Sequence, residues 1–194
     1  MTGAVLRYLT HPQVNIDPDV PVPEWGLSDV GAERVHKLCN SHTLTNIKNI
    51  VSSAETKATE AAQILGTFLG ITPEIREKMH ENDRSSTGFL ESALFEDMAD
   101  RFFASPDVSV KGWESASAAQ ARIVGEVQTV LASHKEGDLL LVGHGAVGTL
   151  LYCHFSGLPI DRKHDQTGGG GGNFITIEIA SLKVLHGWQP MEEM

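Results

Sequence analysis

The chain has 194 residues, 41% hydrophobic and 21% charged, with 15 Lys+Arg against 25 Asp+Glu and a formal net charge of −10. That length can bury a full core, most simply as one domain over 1–194, and the shortage of basic residues argues against a nucleic-acid or anionic-membrane surface, each of which needs a positive footprint. No run reaches the roughly 20 apolar residues of a membrane span, Met1–Leu9 has no signal-peptide core, and Cys39 and Cys153 supply neither a disulfide framework nor a C-x-x-C pair, so a reduced, cytoplasmic protein is expected.

Ala4–Leu9 is a short apolar run that reads as a buried strand. It stops at Thr10-His11-Pro12, because Pro12 cannot donate to a sheet ladder. The proline-rich stretch Asn15–Gly26 is a loop. Ser28 is a predicted N-cap with Asp29 in the first turn, and Val30, Val35 and Leu38 are expected on the buried face of the helix that follows. Asn49–Ser52 is a second strand. Glu55–Leu69 is an amphipathic helix with Ala58, Ala61, Ala62, Leu65, Phe68 and Leu69 at helical spacing, closed by Gly70. Pro73–Met79 holds an edge-like third strand, and His80–Gly88 is a polar loop. Helical stripes follow over Glu91–Ala104 (Leu94, Phe95, Met98, Phe102, Phe103) and Ser115–His134 (Ile123, Val127, Val130, Leu131). Asp138–Val142 has the continuous apolar run of a central parallel strand covered on both faces. Gly143–Gly145 is a turn and Ala146–Phe155 the next helix. Beyond the charged, glycine-rich loop Asp161–Gly172, Phe174–Ile179 is a strand and Leu182–Trp188 its hairpin partner. Strands alternating with helices predict an α/β sandwich.

Nine histidines are many for so acidic a chain, and imidazole can titrate near neutrality, bind metals or act as a nucleophile. Two share one context. His11 follows the first strand directly, and His144 follows the strand Asp138–Val142 after a single glycine. Ligands of open α/β sheets sit outside the carboxyl ends of the strands, where both histidines are placed. Gly143 and Gly145 let the backbone turn sharply around His144.

Five segments, in order, resemble the histidine phosphatases, or phosphoglycerate mutase-like superfamily. Leu6–Pro12 (LRYLTHP) resembles the strand that ends in the family's Arg-His-Gly. Leu27–Val35 (LSDVGAERV) is similar to Leu-Thr-x-x-Gly-x-x-Gln-Ala, and Ser52–Ala62 (SSAETKATEAA) to Ser-Ser-Pro-x-x-Arg-Ala-x-Gln-Thr-Ala. Met79-His80-Glu81 matches the Leu-x-Glu that opens the acid loop, and Leu139–Gly148 (LLLVGHGAVG) the strand and His-Gly of the second histidine. The resemblance implies a three-layer α/β/α sandwich with a mostly parallel central sheet. It implies a phosphatase acting on a phosphomonoester, with no cofactor and a small phosphorylated substrate as partner. A phosphatase is favoured over a mutase, because the chain is short and lacks insertions that would enclose a bisphosphate.

In the implied mechanism His11 attacks phosphorus to form a phosphohistidine. His144 and Lys57 hold the equatorial oxygens. Glu81 protonates the leaving oxygen, with Asp83 as second choice. The departures are specific: Thr10 stands where the family has arginine, Pro12 where it has glycine, and Lys57 where it has a second arginine. Guanidinium grips phosphate bidentately, whereas an ammonium is a point charge and Thr carries no charge. Thr10 and Lys57 therefore define a variant phosphate pocket, and Arg84 in the acid loop is the candidate replacement cation; its bland alternative is a surface arginine paired with Asp83 or Glu81. The loop Arg162–Gly172 offers glycine N–H groups as a second candidate anion site, or else a plain surface connection.

Three other readings compete. Gly143-His144-Gly145-Ala146-Val147-Gly148 spells G-x-G-x-x-G between a strand and a helix, with Asp161 and Asp165 near the position of a ribose-binding acid. The histidines raise a metal site, though no H-E-x-x-H or Cys/His spacing is present. Finally, Thr10 and Lys57 fit a catalytically impaired family member that binds a phosphorylated ligand or a partner.

Overall fold

The computed structural model describes residues 3–168 and 170–194. Its strands are β1 (Val5–Thr10), β2 (Ile47–Ser53), β3 (Glu74–Arg76), β4 (Asp138–Gly143), β5 (Asn173–Glu178) and β6 (Val184–Pro190), and its longer helices are α1 (Asp29–Leu38), α2 (Thr56–Leu69), α3 (Ser92–Ala104), α4 (Ala116–Ser133) and α5 (Gly145–Ser156). All six strands join one sheet in the order β3-β2-β4-β1-β5-β6. β3, β2, β4 and β1 run parallel, and β5 and β6 add an antiparallel hairpin to one edge. This is the mostly parallel α/β/α arrangement expected.

The central strand shows why both faces must be covered. All six residues of β4 are buried. Leu139 and Leu141 point into the core beneath α3, α4 and α5, whereas Leu140 and Val142 point into the core beneath α1 and α2, as the two-residue period of a strand requires. Small residues bring α2 close to the sheet: Ala58, Ala61 and Ala62 are fully buried. Gly70 ends that helix in the left-handed conformation at φ 68°. Ser28 caps α1 by accepting from the Gly31 N–H.

Three residues expected on buried faces are exposed. Val30 lies five residues before Val35, about 140° around the helix from it. Phe68 is 57% exposed where α2 opens onto the surface groove beside α1, and Leu94 lies on the outer side of the first turn of α3. The proline-rich loop is ordered around Trp25, whose indole N–H donates to the Asp17 and Val20 carbonyls. That fold of the loop brings the Val22 carbonyl to the Lys57 ammonium at the start of α2. Among the described residues, no helix is long and apolar enough to cross a membrane.

Candidate active site

β1 and β4 are adjacent and parallel, so the residues that follow them emerge side by side. The rings of His11 and His144 meet edge to face with centroids 5.3 Å apart. His11 is fixed by its own neighbours: its N–H donates to the Gly143 carbonyl at 2.9 Å, and its Nδ1 lies 2.8 Å from the Pro12 carbonyl. A carbonyl only accepts, so Nδ1 carries the proton and Nε2 the lone pair. Burial lowers the His11 pKa to about 4, outweighing the Pro12 bond, which leaves the imidazole neutral at pH 7.

His144 is fully buried. The Tyr8 hydroxyl accepts from its N–H at 2.9 Å and donates to its carbonyl at 3.1 Å. Gly143 makes room for that brace, because a Cβ there would stand 2.3 Å from the Tyr8 oxygen. His144 Nε2 is 2.8 Å from Ser53 Oγ, and Nδ1 has no partner. Burial holds this imidazole well below its ordinary pKa despite the nearby Glu55.

Lys57 lies in the first turn of α2 and is buried. Its ammonium donates to the Val22 carbonyl at 2.8 Å and pairs with Glu55. Glu55, the N-cap residue of α2, also accepts from the Glu81 N–H at 2.9 Å and sits 3.7 Å from His144 Nε2. Burial alone would raise the Glu55 carboxyl. His144, the Lys57 charge and these hydrogen bonds outweigh it and hold the pKa at about 2. Sequence reasoning passed over Glu55. The available signal was its position two residues before Lys57 at a helix start, where both side chains turn toward the same end.

Glu81 reaches back to α5, accepting from the Ala146 and Val147 N–H groups, both at 3.0 Å. Burial raises its pKa, overcoming the Arg84 charge and these backbone bonds. Asp83 is exposed, and bonds from Ser85 lower its pKa. The loop carrying both is held by Arg122 of α4, which Glu114 orients. Arg122 gives all five of its N–H donors: to the carbonyls of Lys78, His80 and Glu81 and to both oxygens of Glu114. Arg122 also had no local sequence signal.

Arg84 pairs with neither Asp83 nor Glu81. Its guanidinium stacks over Phe95 at 4.9 Å from the ring centre and has no side-chain hydrogen bond among the described residues. Its charge reaches Glu81, His11 and His144. The structure does not bring Thr10 into this group. Thr10 is buried, and its hydroxyl donates to Gln166 Oε1 and accepts from the Asn173 N–H.

The glycine-rich loop serves as packing. Gly172 donates to the His11 carbonyl, and a Cβ on Gly171 would stand 2.2 Å from that oxygen. Arg34 holds the Gly171 and Gly172 carbonyls, and Arg162 pairs with Glu96 and Asp100 of α3. Gly169 of this run lies outside the described residues, as do Met1 and Thr2 of the N-terminal stretch. The G-x-G-x-x-G reading fails on geometry: the Ala146 and Val147 N–H groups at the start of α5 are taken by Glu81, and Asp165 accepts from Thr149. Among the described residues, no three His, Cys, Asp or Glu side chains are grouped to hold a metal.

The sequence pattern of the histidine phosphatase superfamily (branch 1) matches residues 13–177, beginning two residues after His11. Comparison with curated protein sequences finds no match. Among solved structures, the chain resembles a mycobacterial glucosyl-3-phosphoglycerate phosphatase in complex with inorganic phosphate, with a TM-score of 0.79 and 19% identity over 97% of this chain and 99% of that one. Bacillus stearothermophilus YhfR gives a TM-score of 0.79 with 20% identity over 95% of both chains. A putative alpha-ribazole-5'-P phosphatase from Escherichia coli gives 0.76 with 16% identity over 97% of this chain and 98% of that one. At such identities these likenesses establish the fold.

Proposed function

The chain belongs to the histidine phosphatase superfamily, branch 1, and is a hydrolase of that family acting on phosphomonoesters, and from that premise we propose that His11 carries the phosphoryl group during hydrolysis. The observation that carries this reading is the Nδ1 contact of His11 with the Pro12 carbonyl. It aims the lone pair of a neutral Nε2 into the space shared with His144.

In the first step His11 Nε2 forms a bond to phosphorus as the bond from phosphorus to the leaving oxygen breaks. The electron pair leaves on that oxygen, which takes the proton from Glu81. Burial favours that proton on Glu81 at the start. In the second step water attacks phosphorus, the N–P bond returns its pair to Nε2, and the Glu81 carboxylate accepts the proton from water. In this reading Arg84, His144 and the one Lys57 proton not already given to Val22 or Glu55 hold the transferring oxygens.

Hydrolysis of p-nitrophenyl phosphate by the wild type but not by His11→Ala tests the assignment. Acid-labile phosphate trapped on the chain during turnover, absent in His11→Ala, identifies the intermediate. The second reading is a protein that binds phosphorylated ligands without turnover. The Glu55–Lys57 pair favours it, because a carboxylate in the pocket offsets the charge of its one lysine. Retained phosphate binding with no hydrolysis across a broad phosphoester panel would establish that reading instead.

A further inference from the structure

A cleft of about 730 Å³ runs alongside the proposed phosphoryl site, between the proline-rich loop, the start of α2 and the acid loop. The leaving group of a bound ester would lie in it. Its lining carries five carboxylates, Glu24, Glu55, Glu77, Glu81 and Asp83, against the guanidinium of Arg84. Glu55 pairs with Lys57, and Glu81 accepts from the N-terminus of α5. Glu24 and Glu77 are exposed and have no side-chain ion pair or hydrogen bond among the described residues, and the Asp83 carboxylate is bonded by Ser85 alone. His80 lines the same wall with Nδ1 against the Glu81 carbonyl. Asn82, only 6% exposed, also lines the cleft, and its amide nitrogen has no acceptor in the protein.

We propose that this cleft selects phosphomonoesters whose alcohol carries an ammonium group over those whose alcohol carries a carboxylate. The phosphate end meets Arg84, Lys57 and the histidines. The rest of the lining brings three carboxylates, Glu24, Glu77 and Asp83, that make no ion pair among the described residues, and such charges act on a ligand over a screening length of about 10 Å. The inference rests on the proposed phosphoryl site and adds the class of substrate.

O-phosphoethanolamine and phosphoglycolate are close in size and opposite in charge at the far end. Calorimetric titration of each into His11→Ala ranks them without turnover, and kcat/KM ranks them in the wild type. We expect phosphoethanolamine to be favoured about tenfold, as two or three partly exposed charge contacts allow. The preference should shrink in added salt and fall toward one in Glu24→Gln/Glu77→Gln. Equal or better binding of phosphoglycolate, binding of neither, or a ratio unmoved by the two substitutions overturns the proposal. Failure of the wild type to hydrolyse p-nitrophenyl phosphate would overturn the phosphohistidine reading and leave the binding comparison intact.

Discussion

Glu55 and Lys57, two residues apart at the start of α2, form an ion pair inside the proposed phosphate pocket, with side-chain exposures of 9% and 5%. The carboxylate is within 3.7 Å of His144 Nε2, so a phosphate bound between the histidines would meet a like charge. Glu55→Gln should therefore tighten binding of inorganic phosphate or vanadate by about tenfold; a unit charge a few ångströms away exceeds the ~1.4 kcal/mol this requires even at an effective dielectric near 20. The same change should lower thermal stability, since it leaves a buried ammonium without its counter-charge. Titration calorimetry reads the first effect and a melting curve the second. Unchanged or weaker phosphate binding by a folded variant would show that Glu55 assists the anion through Lys57 rather than opposing it.

Glu81 has the environment of a general acid and Asp83 does not. Burial raises the first and hydrogen bonds from Ser85 lower the second. An alkoxide needs a proton as it leaves, whereas p-nitrophenolate is already a stable anion. Glu81→Gln should slow hydrolysis of an alkyl phosphate by roughly 10²–10³-fold and affect p-nitrophenyl phosphate far less. Asp83→Asn should do neither. Parallel kinetics on the two esters check this, and equal losses on both would remove Glu81 from the role.

The same groups set a bell-shaped pH dependence. His11 must be neutral to attack, and its pKa of about 4 places the acid limb there, well below that of an ordinary histidine. Glu81 must be protonated, and its raised pKa places the alkaline limb above the usual carboxylate range. For an alkyl ester, kcat/KM should rise as pH climbs through about 4 and fall as Glu81 loses its proton. Glu81→Gln should flatten the alkaline limb. A profile of kcat/KM against pH for the wild type and this variant is the measurement; an acid limb near 6.5, the ordinary histidine value, would contradict the neutral His11.

Much of the framework was legible because its signals are local. The apolar run ending at Val142, the alanines at helical spacing in α2 and the cap at Ser28 each encode structure within a few residues. His11 and His144 were legible as neighbours because strands of an α/β sheet present their carboxyl ends together. What escaped depends on contacts distant in sequence. Tyr8 braces His144 across 136 positions, and Thr10, placed by motif with the phosphate pocket, turns instead to Gln166 and Asn173. Phe68 continues the stripe of α2, and only the edge of the α1–α2 groove shows that it stays exposed.

Arg122 is the strongest case of such a long-range contact. It stands on α4, yet its guanidinium bonds the carbonyls of Lys78, His80 and Glu81, and Glu114, which locks it, also accepts from the Asp83 N–H. This makes Arg122 a positioning residue that acts through Glu81. Arg122→Met removes all five bonds and should cut kcat on an alkyl phosphate by about tenfold or more, the scale on which small misplacements of reacting groups slow a reaction. KM should change little. Arg122→Lys should recover only part of the loss, because an ammonium has three donors and no planar fork. The readout separating positioning from general destabilisation is leaving-group dependence: the deficit should be larger for alkyl than for p-nitrophenyl phosphate, as for Glu81→Gln. Equal deficits on both esters, tracking a lowered melting temperature, would reduce Arg122 to a structural role.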